Sequence, residues 1–117
     1  MTDASSLITV VELQEFSRAA AKTWSEAVLT EFMDYIAAHP LAGVIIEGTG
    51  GVRKVRWSRG GMGKRSGVRI VYYYHDDEIP LFLLAMFSKS SKSDLDPPEK
   101  RQAQEFVRAV KNRRKGN

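Results

Sequence analysis

Residues 81–87 read Leu-Phe-Leu-Leu-Ala-Met-Phe, apolar at every position. Successive side chains of a strand point to opposite faces, so a strand with one wet face alternates apolar with polar. A run without alternation requires cover on both sides, which places it as a central strand. The longer apolar stretch, Ile79 to Phe87, contains Pro80 and is far too short to span a bilayer. The chain must therefore build a layered domain around this strand.

Three further extended segments surround it. Leu7-Ile-Thr-Val-Val-Glu-Leu13 is β-branched and apolar, and reads as a first strand. Val52 to Ser58 reads as the second and Gly67 to His75 as the third, with Ile79 to Ser88 the fourth. Val44-Ile-Ile46 is a short extended piece leading into Gly48-Thr-Gly-Gly51, a turn that needs unusual φ angles. Asp76-Asp-Glu78 makes a compact hairpin connection.

Helical periodicity fills the rest. A short helix is expected over 14–22, and Thr23-Trp-Ser-Glu26 matches a capping box opening a second helix. Val28, Leu29, Phe32, Met33 and Ile36 give that helix one apolar stripe, and His39-Pro40 ends it. Asp96-Pro-Pro-Glu99 starts a final helix, with Ala103, Phe106, Val107 and Val110 as its stripe and Lys111-Asn-Arg-Arg-Lys115 as a basic end. The order is β-α-α-β-β-β-α. It predicts a single α+β domain over 1–117, with residues 1–6 and 112–117 frayed. The expected architecture is a small twisted, mostly antiparallel sheet of about four strands. Helices are expected on one face, leaving the other open for chemistry.

The charge pattern says what that open face would meet. Residues 48–75 hold seven Lys or Arg and no Asp or Glu. Residues 1–52 carry two basic and seven acidic side chains, whereas 53–117 carry sixteen and seven. Concentrated positive charge on a rigid sheet favours an anionic partner, RNA or DNA, docking on one side. The chain has no cysteine, which removes disulfides and thiolate metal sites, and its two histidines, His39 and His75, have no metal-ligand spacing. No metal or cofactor is expected. The N-terminus lacks a signal-peptide pattern, so a cytoplasmic, non-membrane protein is the expectation.

Strand parity selects the candidate residues. Val55 and Trp57 point one way, Lys54, Arg56 and Ser58 the other; Arg69, Val71 and Tyr73 share a face opposite Val68, Ile70, Tyr72 and Tyr74. With Val55 and Ile70 toward the helices, Lys54, Arg56, Arg69 and Tyr73 converge on the open face, with Lys89 leaning over it. These are the parts of metal-free RNA cleavage. A base removes the 2′-OH proton, cations stabilise the phosphorane, and an acid protonates the leaving 5′-oxygen. Arginine suits the clamp through its fork of donors. Lys54 can act as base if surrounding cations favour its neutral form. Arg53, Arg59, Lys64, Arg65 and Lys92 are expected to bind RNA around this centre.

Other motifs carry less. Gly60-Gly-Met-Gly-Lys-Arg-Ser66 fails the phosphate-loop spacing, because Ser58 stands where glycine is needed and Arg65 follows Lys64. Asp76, Asp77 and Glu78 read as solvated turn residues, His39 as a helix-end histidine, and Trp57 and two of the tyrosines as packing residues.

Three blocks carry a family resemblance: Gly48-Thr-Gly-Gly-Val-Arg-Lys-Val-Arg-Trp57, Gly67-Val-Arg-Ile-Val-Tyr-Tyr-Tyr74 and Leu83-Leu-Ala-Met-Phe-Ser-Lys-Ser-Ser-Lys-Ser-Asp-Leu95. In order and spacing they resemble the RelE/HigB branch of type II toxin–antitoxin toxins, over roughly residues 25–110. The resemblance implies a small twisted sheet with packed helices and a translation inhibitor that cuts mRNA in the ribosomal A site without metal. It also implies a cognate antitoxin, often of helix-turn-helix type, through which an oligomer can form. By position Lys54 and Arg56 match paired strand cations, Arg69 a transition-state arginine, and Lys89 a cation after the last strand. Where some relatives place a catalytic tyrosine this chain has Leu95, leaving Tyr73, Lys92 or a ribosomal group as general acid. The block commonly Lys-Asn-Glu-Lys is here Lys89-Ser-Ser-Lys92. Two alternatives remain open: a ParE-like DNA gyrase poison on the same fold, and a non-catalytic nucleic-acid-binding module.

Overall fold

The computed structural model describes residues 8–57, 67–88 and 94–116, with side chains through 113. In chain order the elements are β1 (Val10–Glu12), α1 (Gln14–Thr23), α2 (Glu26–Ala38), β2 (Val44–Ile45), β3 (Arg53–Trp57), β4 (Val68–Tyr73), β5 (Leu81–Ser88) and α3 (Pro97–Gly116). The strands form one sheet in the order β1-β5-β4-β3-β2. Only β1 against β5 is parallel; the other pairings are antiparallel. The class is α+β as expected, with one strand more. The short extended piece pairs as an edge strand, Val44 opposite Lys54 and Ile45 opposite Arg53.

The helices do not share a face, which corrects the expected layering. Phe16 and Ala20 of α1 and Phe32 and Ile36 of α2 pack with Val55, Trp57, Ile70, Tyr72, Leu81 and Leu83 on one side. Ala103 and Val107 of α3 pack with Val71, Tyr73 and Val52 on the other, joined by Phe82, Leu84 and Phe106. The sheet is sandwiched. This explains the uniformly apolar β5: α1 needs Leu81, Leu83 and Met86, and α3 needs Phe82, Leu84 and Ala85. The split requires one extra residue. The pairing of β4 with β5 shifts between Val71 and Tyr72, opposite Ala85 and Leu83, so Leu84 is bulged out of register. A bulge changes the parity of the strand, and Leu84 and Ala85 can both face α3.

Caps and turns fix the ends. The N-cap of α2 is Ser25, not Thr23: the Ser25 hydroxyl accepts from the Val28 N–H at 3.2 Å, while Thr23 donates back to the Ala19 carbonyl at 2.8 Å. The box at α3 forms as expected, the Asp96 carboxylate accepting from the Glu99 N–H and Glu99 from the Asp96 N–H, both at 3.0 Å. Residues 112–116, expected to fray, continue α3. In the glycine turn, Gly48, Gly50 and Gly51 all have positive φ. Thr49 is fully buried, its hydroxyl donating to the Ile46 carbonyl at 2.7 Å and accepting from the Val52 N–H at 3.0 Å. A Cβ on Gly50 would lie 3.4 Å from Val107 of α3. The turn is thus a seat for α3.

Candidate nucleic-acid interface

The sheet places Arg56 directly opposite Arg69, and Lys54 directly opposite Val71. Continuing across β4, Arg69 is opposite Phe87 and Val71 opposite Ala85. Two adjacent rows on one face therefore carry three of the expected cations. Parity assigns that face to the α3 side, since the residues alternating with them, Val55, Trp57 and Ile70, lie in the α1/α2 core. Helix α3 covers the sheet from the Lys54–Val71 row onward, where Val71 and Tyr73 are 2% and 3% exposed. Arg56 and Arg69 lie at the end it does not cap with its apolar stripe, and both are half-buried.

Electrostatically the patch is incomplete by itself. The Arg69 Nη1 atom is buried and has no hydrogen-bond partner among the described residues. A buried donor without an acceptor is costly, and directly opposed like charges add to that cost. Lys54 differs: its Nζ lies 3.2 Å from the Asp94 Oδ2, in the segment leading into α3. Burial pushes the Asp94 carboxyl up, but the Leu95 N–H, the Lys54 hydrogen bond and the Lys54 and Lys100 charges outweigh it, and the net shift is downward. Asp94 has no distinguishing mark in the sequence; only the tertiary contact reveals it.

Two expected residues leave the set. Tyr73 is on the same face but four residues along β4 from Arg69, roughly 13 Å at strand rise, and it is core. Its hydroxyl is 3.0 Å from the His75 Nδ1, and burial, then the Asp76 charge, raise its pKa. Arg53 projects to the other side. Its Nη1 donates to the Gly43 carbonyl at 2.7 Å, pinning the 40–43 segment. Its parity with Val55 already placed it there. Lys89, Arg59, Lys64, Arg65 and Lys92 lie outside the described residues. At the far end of β4, the Asp76 Oδ1 accepts from the Glu78 and Ile79 N–H groups, so the acidic hairpin organises its own turn.

What the arrangement can do is hold one phosphate. Two guanidinium forks start from one rung of a rigid sheet, with a lysine on the next row, and one donor is already desolvated. No protein-family model matches the chain. Among solved structures it is similar to a mutant of the Escherichia coli toxin RelE in the free state, at 15% identity and a TM-score of 0.53. The match covers 74% of this chain and 87% of that one. At this identity the likeness establishes a RelE-like fold.

Proposed function

We propose that this chain is the toxin of a type II toxin–antitoxin pair, a metal-free endoribonuclease that cuts mRNA on the ribosome. The observation that carries this reading is the Arg56–Arg69 rung beside Lys54, with a buried Arg69 Nη1 that has no partner among the described residues. The RelE-like fold supports it. Ribosome dependence and the antitoxin rest on the family resemblance.

In this reading Arg56 and Arg69 grip the non-bridging oxygens of the scissile phosphate. The ribose 2′-OH gives its proton to a base as its oxygen attacks phosphorus, giving a phosphorane whose added charge the two guanidiniums stabilise, and the 5′-oxygen leaves with a proton from an acid. The products are a 2′,3′-cyclic phosphate and a free 5′-hydroxyl. Lys54 exchanges Asp94 for the phosphate as substrate enters, and acts as third cation or as base. Lys89 adds charge from beyond β5. With Tyr73 in the core, Lys92 or a ribosomal group supplies the leaving-group proton.

The test is purified protein added to ribosomes translating a defined mRNA, with fragment ends sequenced and their phosphates typed. Cuts bearing cyclic or 3′-phosphate ends, absent with Arg69→Lys, support the reading. Intact mRNA together with accumulation of gyrase-cleaved DNA would replace it with the ParE-like one.

A further inference from the structure

The sheet ends at β2 with main-chain groups still open. In an antiparallel pair, opposed residues alternate between exchanging two main-chain hydrogen bonds and exchanging none. The Ile46 N–H donates to the Val52 carbonyl at 2.8 Å, and the register sets Val44 against Lys54 and Ile45 against Arg53. Ile46 and Val44 therefore bond toward β3, and Ile45 between them turns its N–H and C=O outward. Because β2 is the last strand of the sheet, no strand among the described residues meets those two groups.

The side chains around this backbone are apolar and wet. Leu41, Val44 and Ile45 are 63%, 61% and 57% exposed, the large apolar residues of the described chain that stand mostly in solvent. Edge strands are usually blunted by charge, proline or cover; β2 presents Val and Ile instead. Its flanks supply one charge of each sign. Glu47 is exposed and has no ion pair among the described residues. Arg53 uses Nη1 on the Gly43 carbonyl and keeps its other N–H donors. On a chain of net charge +4, this edge is locally balanced.

We propose that the β2 edge is a docking surface for a second copy of the chain, paired β2 to β2 in antiparallel across a twofold axis at Ile45. Each Ile45 N–H then donates to the partner's Ile45 carbonyl, so the same patch serves both copies. In that register Gly43 lies opposite the partner's Glu47, which brings its carboxylate to the Arg53 guanidinium held at Gly43. The twofold makes this ion pair twice. Such an axis runs perpendicular to the sheet, so both Arg56–Arg69 rungs face the same side. A contact built on a two-residue strand and its flanks is at the small end of specific interfaces, and monomer and dimer exchange. None of this depends on the proposed function.

Sedimentation equilibrium of the full chain, from micromolar to millimolar concentration, should show the mass rising from 13.1 kDa toward twice that value. Ile45→Lys should remain monomeric. Glu47→Arg and Arg53→Glu, each alone, should associate roughly tenfold or more weakly through like-charge contacts. An equimolar mixture of the two should associate as the wild type does, because every arginine then faces a glutamate. Since Arg53→Glu also removes the bond to Gly43, a second measurement leaves that bond in place. The chain has no cysteine, and the Cα atoms of a hydrogen-bonded cross-strand pair stand about 5.5 Å apart, within disulfide reach. Mild oxidation should link Ile45→Cys into a dimer far faster than Ala27→Cys, an exposed position on α2. A wild-type chain that stays monomeric throughout would overturn the proposal. So would a dimer indifferent to Ile45→Lys, equal linking at both cysteines, or a mixture of the two charge variants, both folded, that stays apart.

Discussion

Arg56 and Arg69 are direct cross-strand partners on β3 and β4, so two fixed positive charges start roughly 5 Å apart at the backbone. A sheet gains nothing in stability from this pairing; like charges directly opposite one another cost about 0.2–1 kcal/mol. The Arg69 Nη1, buried with no hydrogen-bond partner among the described residues, adds to the cost. In the proposed function, the counter-charge for this rung arrives with the substrate.

Arg69→Met should therefore raise stability by about 0.5–1 kcal/mol while abolishing RNA cleavage. Arg69→Lys keeps the charge and loses the fork, and should cut the cleavage rate by on the order of 10²-fold. Thermal denaturation and a cleavage assay, run on the same preparations, measure the two effects. A drop in melting temperature for Arg69→Met would show that the guanidinium has a structural partner.

In the proposed function, Asp94 competes with RNA for Lys54. Asp94→Asn should tighten binding of an uncleavable RNA several-fold, and lower stability by no more than about 1 kcal/mol, as for an exposed pair. The pH dependence has a definite sign. The carboxyl is depressed in the folded state, so its contribution is present above the unfolded-state value near 3.9 and is lost as pH falls through the folded one. Acid titration of wild type against Asp94→Asn measures it.

Tyr72 and Gly43 form a lock beneath the edge strand. The Tyr72 hydroxyl donates to the Pro40 carbonyl and accepts from the Gly43 N–H, both at 2.8 Å. Tyr72→Phe leaves both groups without that partner and should cost about 1–3 kcal/mol. A Cβ at Gly43 would stand 2.7 Å from the Lys54 carbonyl and 2.9 Å from the Tyr72 ring. Gly43→Ala should thus cost about 1–3 kcal/mol, and the double variant less than the sum, because both break one contact. Chemical denaturation of the three variants tests this.

Tyr74 donates a hydrogen bond to Asp77, and that bond, ahead of burial and the carboxylate charges, pushes its pKa up to about 12. A raised phenol contributes stability below its unfolded value near 10 that disappears as pH climbs toward 12. Ultraviolet titration should show one tyrosine ionising near 12, returning toward 10 in Asp77→Asn.

Much of this was legible before any coordinates. Period-2 alternation was enough to put Lys54, Arg56 and Arg69 on one face, because strand parity is set by backbone geometry alone. Arg53 was expected to bind RNA on account of its charge, whereas the same parity, applied to it, places it beside Val55 on the opposite side. The position of α3 was less accessible. An amphipathic stripe such as Ala103, Phe106, Val107 and Val110 says that a helix buries one side, not which face of a sheet receives it. The clue lay in β5, whose lack of polar positions demands cover above and below. Burial of Tyr73 follows from that cover. The Lys54–Asp94 pair joins residues 40 positions apart, and no local pattern encodes such a contact.

The surplus residue at Leu84 works as a phase shifter in the chain. Everything downstream of it in β5 sits on the side opposite to the one strict alternation from Leu81 would give, which is why Phe87 rather than Ser88 shares a side with Arg69. Keeping all eight residues but flattening the bulge would leave the composition of the strand unchanged, yet it would turn Phe87 under α1 and present a hydroxyl to the guanidinium.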